Sequence, residues 1–541
     1  MSRSTGPLGN FLPSSPAPVA SPAVTGLADL PPMPAAVIPI SEWHRLTPRT
    51  MLVRPFNDVL GLLIPLVVAL FAVGHENFWH LLWGLGVIAL LVLRGLLHWA
   101  TTKYRVTDEQ VEMHTGLIFR QKLATRRERV RTVESTAKLG HRLFGVTAVR
   151  IGTGQHEQKK HKGLVLDAVT AVDAEQVRRA LLNRNTTAAP RTDLLTQDTP
   201  AADEPAVEIA SLQRKWLRYA PLTLSGLAAI AALAGIIWRT VNELGINVAS
   251  IGSVRTGLHW IENTPAGVVI AIGVIGGVIV VLGGSVIVYI VQFAGYRLTR
   301  EPDHTLHVRR GLLTKSAVTI EEARLRGVEV SQPLLLRLAN GARCLAIATG
   351  LQARNQAHVL MPPGPLAEAN RVAGSVVNAQ TPPTTAPLIP HPRVALRRRL
   401  LRTLIPAAVL VVGLWLASLP SGWLPQWPWQ VSLITIPIAI ALGYDRFRNL
   451  GHTLAGAYLI TRFGSLDRKT VALQRTGIIG WRVHESFFQR RTGLITLAAT
   501  TAAGPGVFHV LDLAKSDGLA FAEEATPGIL TPFLEPDDAP R

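Results

Sequence analysis

The sequence predicts a polytopic α-helical membrane protein that carries repeated small β domains. Three observations predict it: a composition too apolar and too weakly charged for an ordinary soluble chain, apolar runs that come in pairs, and one hydrophilic pattern that recurs after every pair. The chain has 541 residues, of which 48% are hydrophobic and 17% charged. A helix crossing a hydrocarbon core of about 30 Å needs roughly 20 mostly apolar residues. Six segments approach or exceed that length.

The first pair runs approximately from Phe56 to Val73 and from Leu81 to Trp99, the second from Leu217 to Trp238 and from Ala266 to Phe293. The third runs from Leu401 to Leu419 and from Val431 to Tyr444, the last being the shortest. Trp79, Trp83, Trp423, Trp427 and Trp429 sit where an interfacial aromatic belt is expected. The short turns of the first and third pairs hold no Lys or Arg, whereas Arg45, Arg49, Arg54, Lys103, Arg105, Arg397, Arg398, Arg399, Arg446 and Arg448 flank the opposite ends. The positive-inside rule then puts both termini and all three hydrophilic blocks in the cytoplasm.

The net charge of +19 fits soluble blocks held against an anionic leaflet. A nucleic-acid partner is not expected, because no concentrated basic stripe or recognisable module is present. The single cysteine, Cys344, permits no internal disulfide, in keeping with a reducing compartment. Residues 1–45 are rich in Pro, Ala and Ser, lack the apolar core of a secretion signal, and read as a disordered cytoplasmic tail.

Each helix pair is followed by the same order of elements. From Tyr104, YRVTDEQVEMHTGLIFRQ reads as two strands and a glycine turn, RRERVRTVEST as a strand around Val130 and Val133, FGVTAVRIGTG and LVLDAV as further strands. DAEQVRRALLNR closes the block as a helix, with Asp173 and Gln176 suited to a capping box. The second copy begins YRLTREPDHTLHVRRGLL at Tyr296 and contains LRLANGARCLAIATG; the third begins GHTLAGAYLITRFGSL and contains FFQRRTGLITLAATTAAG. Gly116 and Gly145, and Gly464 and Gly493, are each 29 residues apart, and Gly341 is assigned the place of Gly145 in the second copy. Several short strands followed by one amphipathic helix predict a small barrel or sandwich closed by that helix.

The YRVT or YRLT start after a helix pair, the GLI or GLL turn, the spacing of Arg127, Val130 and Val133, and the FG…TG strand resemble the bacterial pleckstrin-homology-like (PH-like) domains of the YdbT/YdbS membrane proteins. The third copy departs at His452, in place of the leading Tyr, and at Trp481, in place of the second Val. The resemblance implies a two-sheet barrel capped by its last helix, a bacterial cytoplasmic membrane, a smaller YdbS-like membrane partner, and an envelope complex linked to antimicrobial-peptide tolerance. The organisation becomes a tail (1–45), helix pairs at 46–99, 214–294 and 397–448, PH-like domains at 100–186, 295–380 and 449–530, linkers at 187–213 and 381–396, and a tail at 531–541.

Catalytic chemistry is not expected, and no cofactor is implied. In HEQKKH the two histidines are five residues apart, about 140° around a helix, where the zinc-protease step of four is needed. ATTAAGPG lacks the lysine and hydroxyl of a phosphate loop, and GVIGGVIVVLGG lies in an apolar run where small residues permit helix packing. Arg126, Arg127, Arg129 and Arg131, read as one outward strand face, and Arg490 and Arg491 are candidate contacts for anionic lipid headgroups or a protein partner. Arg94, the one charge well inside an apolar helix, is a candidate intramembrane polar site. A non-enzymatic membrane scaffold is the leading expectation; a transporter of peptides or lipids with regulatory domains is the alternative.

Overall fold

The computed structural model describes residues 43–53, 56–57, 78–107, 109–116, 120–130, 132–152, 164–182, 206–223, scattered positions from 228 to 242, 252–350, 358–419 and 424–533. Among the described residues, three helices are long and apolar enough to cross a membrane: Ala266–Phe293, Arg393–Ala417 and the interrupted run Trp427–Arg448. The helix Phe78–Thr101 contains the expected Leu81 to Trp99 segment. Most of the expected Phe56 to Val73 helix, and HEQKKH, lie outside the described residues.

The expected helix from Leu217 is corrected at its start. Arg214–Tyr219 and Pro221–Thr223 are 3-10 turns, and Trp216 and Tyr219 are buried. Side chains at Gly364 and Gly341 would run into these rings, at 3.2 Å from Trp216 and 2.7 Å from Tyr219. The apolar residues counted towards a membrane run therefore belong partly to the cap of a β domain. The sixth helix is longer than expected but breaks into Trp427–Ser432 and Thr435–Arg448. Pro437 has no N–H to donate to the carbonyl four residues back, so the helical ladder is interrupted there.

Three barrels follow, each of two sheets. The first is built from β1 (His44–Arg45), β2 (Lys103–Val106), β3 (Gln110–Thr115) and β4 (Gln121–Arg126), then β5 (Thr132–Ala137), β6 (Val146–Gly152) and β7 (Leu164–Thr170). The second has β8 (Val207–Ser211), β9 (Arg297–Glu301), β10 (Thr305–Arg310) and β11 (Lys315–Glu321), then β12 (Leu325–Pro333), β13 (Gly341–Ala348) and β14 (Val359–Pro365). The third has β15 (Gly451–Ala455), β16 (Tyr458–Phe463) and β17 (Asp467–Gln474), then β18 (Ile478–His484), β19 (Leu494–Thr501) and β20 (Val507–Ala514). Alternation decides the pairing faces: in β3, Val111 and Met113 are buried between half-exposed neighbours.

One helix closes each barrel: Ala171–Leu182, Leu366–Val376 and Lys515–Ala525. In the first, Ala174, Val177 and Leu181 form the buried stripe. Its cap is not the expected Asp173 and Gln176. The Asp173 amide donates to Thr170 Oγ1 at 3.1 Å, so the helix starts one turn earlier, with Thr170 as N-cap. In the third barrel Trp481 Nε1 donates to Thr526 Oγ1 at 2.6 Å, tying the departing residue to the end of the closing helix.

In each barrel, a segment that precedes the apolar helices pairs with a strand that follows them. His44 pairs with Tyr104, β8 pairs with β9, and Ile389 bridges to His452. Two of these contacts fall in segments read from sequence as linkers.

The barrels are joined by shared sheets. The strand order is β1-β2-β3-β4, then β7-β6-β5-β11-β10-β9-β8, then β14-β13-β12-β17-β16-β15, then β18-β19-β20. Thus the second sheet of one barrel continues into the first sheet of the next, through β5 and β11 and again through β12 and β17. Joining edges in this way removes unpaired backbone groups that would otherwise recruit other strands.

Candidate functional site

Two surfaces concentrate chemistry: the ends of the apolar helices, where each barrel is attached, and the seams between barrels. The attachment begins with a glycine turn. Gly116, Gly311 and Gly464 have φ of 99°, 104° and 102°, and a Cβ at Gly311 or Gly464 would stand 2.0 Å from a backbone oxygen. Only glycine fits. In the second barrel this turn seats on the last turn of the spanning helix, where the Gly311 amide donates to Ala294 O and that of Leu312 to Val291 O, both at 2.9 Å.

Twenty-nine residues beyond each of these glycines comes a second left-handed position: Gly145, Asn340 and Gly493, with φ of 66°, 52° and 63°. Asn340, not the expected Gly341, therefore holds this place in the second barrel. Asparagine is among the few side chains that tolerate that region. Gly341 is needed for a different reason, the close approach of Tyr219.

Before each of these turns lies a short helix: Leu139–Leu143, Leu334–Leu338 and Phe487–Arg490. They present apolar side chains to solvent, with Leu143 69%, Leu338 76% and Phe488 69% exposed. All three touch a helix pair or the turn beside one. Asn57, in the segment before Phe78–Thr101, accepts from the Gly140 amide and donates to His141 Nδ1, each at 3.3 Å. Arg337 forms a two-pronged pair with Asp445 at 2.7 and 3.1 Å, and Arg398 Nη2 donates to Ser486 Oγ at 3.4 Å. Leu312, Leu313 and Leu466, in the neighbouring glycine turns, are also exposed. Exposed leucines and phenylalanines beside basic residues at helix ends make an amphipathic surface.

The last strand of every barrel carries a bulge, and its carbonyl is the second attachment point. The ladders place Ala168, Pro363 and Asp512 at equivalent positions. Thr47 Oγ1 donates to Ala168 O at 2.8 Å, Tyr289 Oη to Pro363 O at 2.7 Å, and His391 Nδ1 to Asp512 O at 3.2 Å. Each donor lies in an apolar helix or in the segment before one.

In the third barrel this point is highly polar. The fully buried Asp512 carboxylate pairs with Arg398 and, at 2.5 Å, with Arg399, and accepts from Gln489 Nε2 at 3.0 Å. Because His391 Nδ1 donates to a carbonyl, its Nε2 accepts from His452 Nδ1 at 3.1 Å. Burial pushes both imidazoles down to about 4, helped at His391 by Arg399 and at His452 by His391.

The first seam encloses a cleft of about 650 Å³ lined by Arg142, Arg178, Arg309, Arg310, Lys315, Glu175 and His307, with Ala294 and Gly295 at the helix end. His307 is buried; its Nε2 accepts from Arg309 Nε at 2.7 Å and its Nδ1 donates to Thr319 Oγ1 at 2.9 Å. Burial, then Arg309 and Arg178, holds it down to about 4 and neutral. Five cationic side chains against one carboxylate make the cleft attractive to an anion.

The residues singled out from sequence are dispersed. Arg126 ends β4 and is exposed, whereas Arg127 and Arg129 lie in the 3-10 turn Arg127–Arg129 that crosses between the two sheets, so they do not share an outward strand face. Arg131 lies outside the described residues. Arg490 and Arg491 are exposed on the short helix, and Arg491 stacks over Phe487 at 4.5 Å. Arg94 is exposed on its helix. Sequence reasoning missed the cleft, whose residues come from two barrels, and the Phe487–Phe488 pair, which stood unread beside Arg490 and Arg491.

Spanning helices joined to repeated two-sheet barrels, each closed by a helix, define a membrane protein with PH-like modules. The chain matches the family described as Bacterial PH domain over residues 59–185, 228–378 and 401–524, so each match takes in most of a barrel together with apolar sequence before it. It belongs to that family. It is also similar to the UPF0699 transmembrane protein YdbT of Bacillus subtilis (strain 168), at 21% identity over 490 residues, covering 88% of this chain and 96% of that one. No solved structure matches it.

Proposed function

We propose that the protein is a non-enzymatic scaffold of the bacterial cytoplasmic membrane, with six spans in three pairs and its three barrels on the cytoplasmic side. One observation carries this reading. The strand entering each helix pair is hydrogen-bonded to the strand leaving it, so the chain departs from a barrel and returns to the same barrel. Such a path crosses a bilayer an even number of times. Among the described residues one helix between β8 and β9, Ala266–Phe293, is long and apolar enough to span, so the path calls for a second crossing in the same interval.

The buried polar groups support the non-enzymatic part. His391, His452 and Asp512 are spent on holding a barrel to its helices, as is His141, whose Nε2 donates to Asp167 at 2.9 Å. The exposed apolar side chains of the short helices rest in the headgroup region, and the cationic cleft of the first seam takes an anionic headgroup. Resemblance adds a smaller YdbS-like membrane partner and a role in tolerance of antimicrobial peptides. Reporter fusions near Glu76 and near His156 test the topology; export of the His156 fusion overturns it. Crosslinking in native membranes tests the partner, and lipid analysis of the purified protein tests the cleft: Arg309→Glu together with Lys315→Glu lowers co-purified anionic lipid several-fold if the headgroup sits there.

A further inference from the structure

The two seams use the same register. Each inner strand follows a 3-10 turn whose C-terminal flanking residue is Val130, Leu325 or Ile478, and each outer strand ends directly before one, at Arg126, Glu321 and Gln474. Counted from these landmarks, Thr319 opposite Val133 in the first seam is the same pair as Ala472 opposite Val328 in the second, and Ala317 opposite Ser135 is the same as Thr470 opposite Val330. The molecule has thus solved one docking problem twice.

Two edges of this kind are left over. Among the described residues, β4 has a neighbour only in β3, and β18 only in β19. They are complementary in kind: β4 is the outer strand that β11 and β17 use, and β18 is the inner strand that β5 and β12 use. Their exposure differs accordingly. Val330 in the second seam is 2% exposed, whereas Val483, its counterpart in β18, is 41% exposed, and Ile479 is 68% exposed.

The geometry points to head-to-tail association of copies of this chain, with β18 of one copy added antiparallel to β4 of the next in the register of the internal seams. The transposed pairs are Thr125 with Gly480, Ala124 with Trp481, Leu123 with Arg482, Lys122 with Val483 and Gln121 with His484. No cation faces a cation, and the stems of Lys122 and Arg126 lie on the face that carries Val483 and Ile479. The occupant is a second copy because the chain itself carries the matching edge, in a register it already uses twice. The interface is heterologous, and spanning helices restrict the copies to one plane, so the assembly grows as a ring or a row in the membrane.

Cysteine crosslinking in membranes tests this. The background is low, since Cys344 is the only cysteine, is fully buried, and has its thiol pushed up to about 12 by burial. Lys122→Cys is placed on one tagged full-length chain and Val483→Cys on a second, differently tagged one, and the two are co-expressed and oxidised in membranes. A mixed two-chain disulfide carrying both tags is expected, at least tenfold stronger than for Lys122→Cys with Arg482→Cys, whose side chain points to the opposite face. Absence of the mixed species in well-inserted protein, equal crosslinking in both registers, or crosslinking of β18 to a different protein instead overturns the proposal. A Val483→Pro chain, which keeps its internal seams, is expected to lose the native oligomer without losing the monomer fold.

Discussion

The two seams share a register and differ in what fills them. At the second, the cores of two barrels meet: Ile460 and Ala472 of the third barrel pack into the core of the second, and Ile347 of the second packs into that of the third. Its rim is closed by Lys469 with Glu329 at 3.0 Å, by Arg468 on Gln332, and by Arg337 on Asp445. At the first, the core of the first barrel stands alone, and the space beside the shared strands is the cationic cleft. Backbone pairing sets where two barrels join, and side chains decide whether the join is a fused core or an open pocket. A repeated fold can therefore keep its architecture while one junction becomes rigid and another becomes a binding site.

One sequence position read in three contexts breaks the comparison most sharply. Val330→Asp puts a charge into the fused core and is expected to cost about 3–5 kcal/mol, seen as loss of folded protein in detergent. The same change at the equivalent Ser135, beside the cleft, is expected to cost about 1 kcal/mol, and at Val483, on the free edge, under about 0.5 kcal/mol. Equal losses at Val330 and Ser135 would mean that the first seam is as dry as the second.

Acid distinguishes the seams next. His307 at the first seam is held down to about 4, so the folded state binds its proton less readily than the unfolded chain. Stability is then full above the unfolded value near 6.5 and falls as the pH drops towards 4, by up to roughly 3 kcal/mol. His307→Gln should flatten that part of the thermal-melting profile. The buried His391 and His452 act in the same direction within the third barrel, so the His307 contribution is read as the difference between the variant and the parent.

Ion pairs sharpen the comparison at smaller scale. Arg337→Ala removes a two-pronged, partly buried pair and is expected to cost about 1–2 kcal/mol, with faster proteolysis between the second and third barrels. Arg178→Ala removes contacts to Glu175 and, at 3.3 Å, to Glu301 across the first seam, and is expected to cost under about 1 kcal/mol.

Periodicity and composition made much of this molecule legible. The apolar runs within Phe78–Thr101, Ala266–Phe293, Arg393–Ala417 and Trp427–Arg448, the strand and turn order, the closing helices and the recurrence of the β pattern could be read from single residues and their spacing. The interval of 29 residues was more faithful than the residue type, since Asn340 keeps it where Gly341 was expected. What stayed hidden depends on residues far apart in sequence. Neither β5 meeting β11 nor the gathering of charged side chains around the cleft leaves a local signal. Tyr219 misled for a related reason: hydropathy scores an aromatic ring alike whether lipid or a glycine receives it.

The placement of an apolar helix between the first strand of a barrel and the strands that complete it has a consequence for biogenesis. A ribosome delivers them in that order, so the first barrel cannot close until the chain beyond Phe78–Thr101 has come back to β1, nor the second until the chain beyond Ala266–Phe293 has come back to β8. A chain held back at that point leaves a strand edge and a bulge carbonyl without their partners. Closure of a barrel thereby reports on the placement of the apolar segment that precedes it.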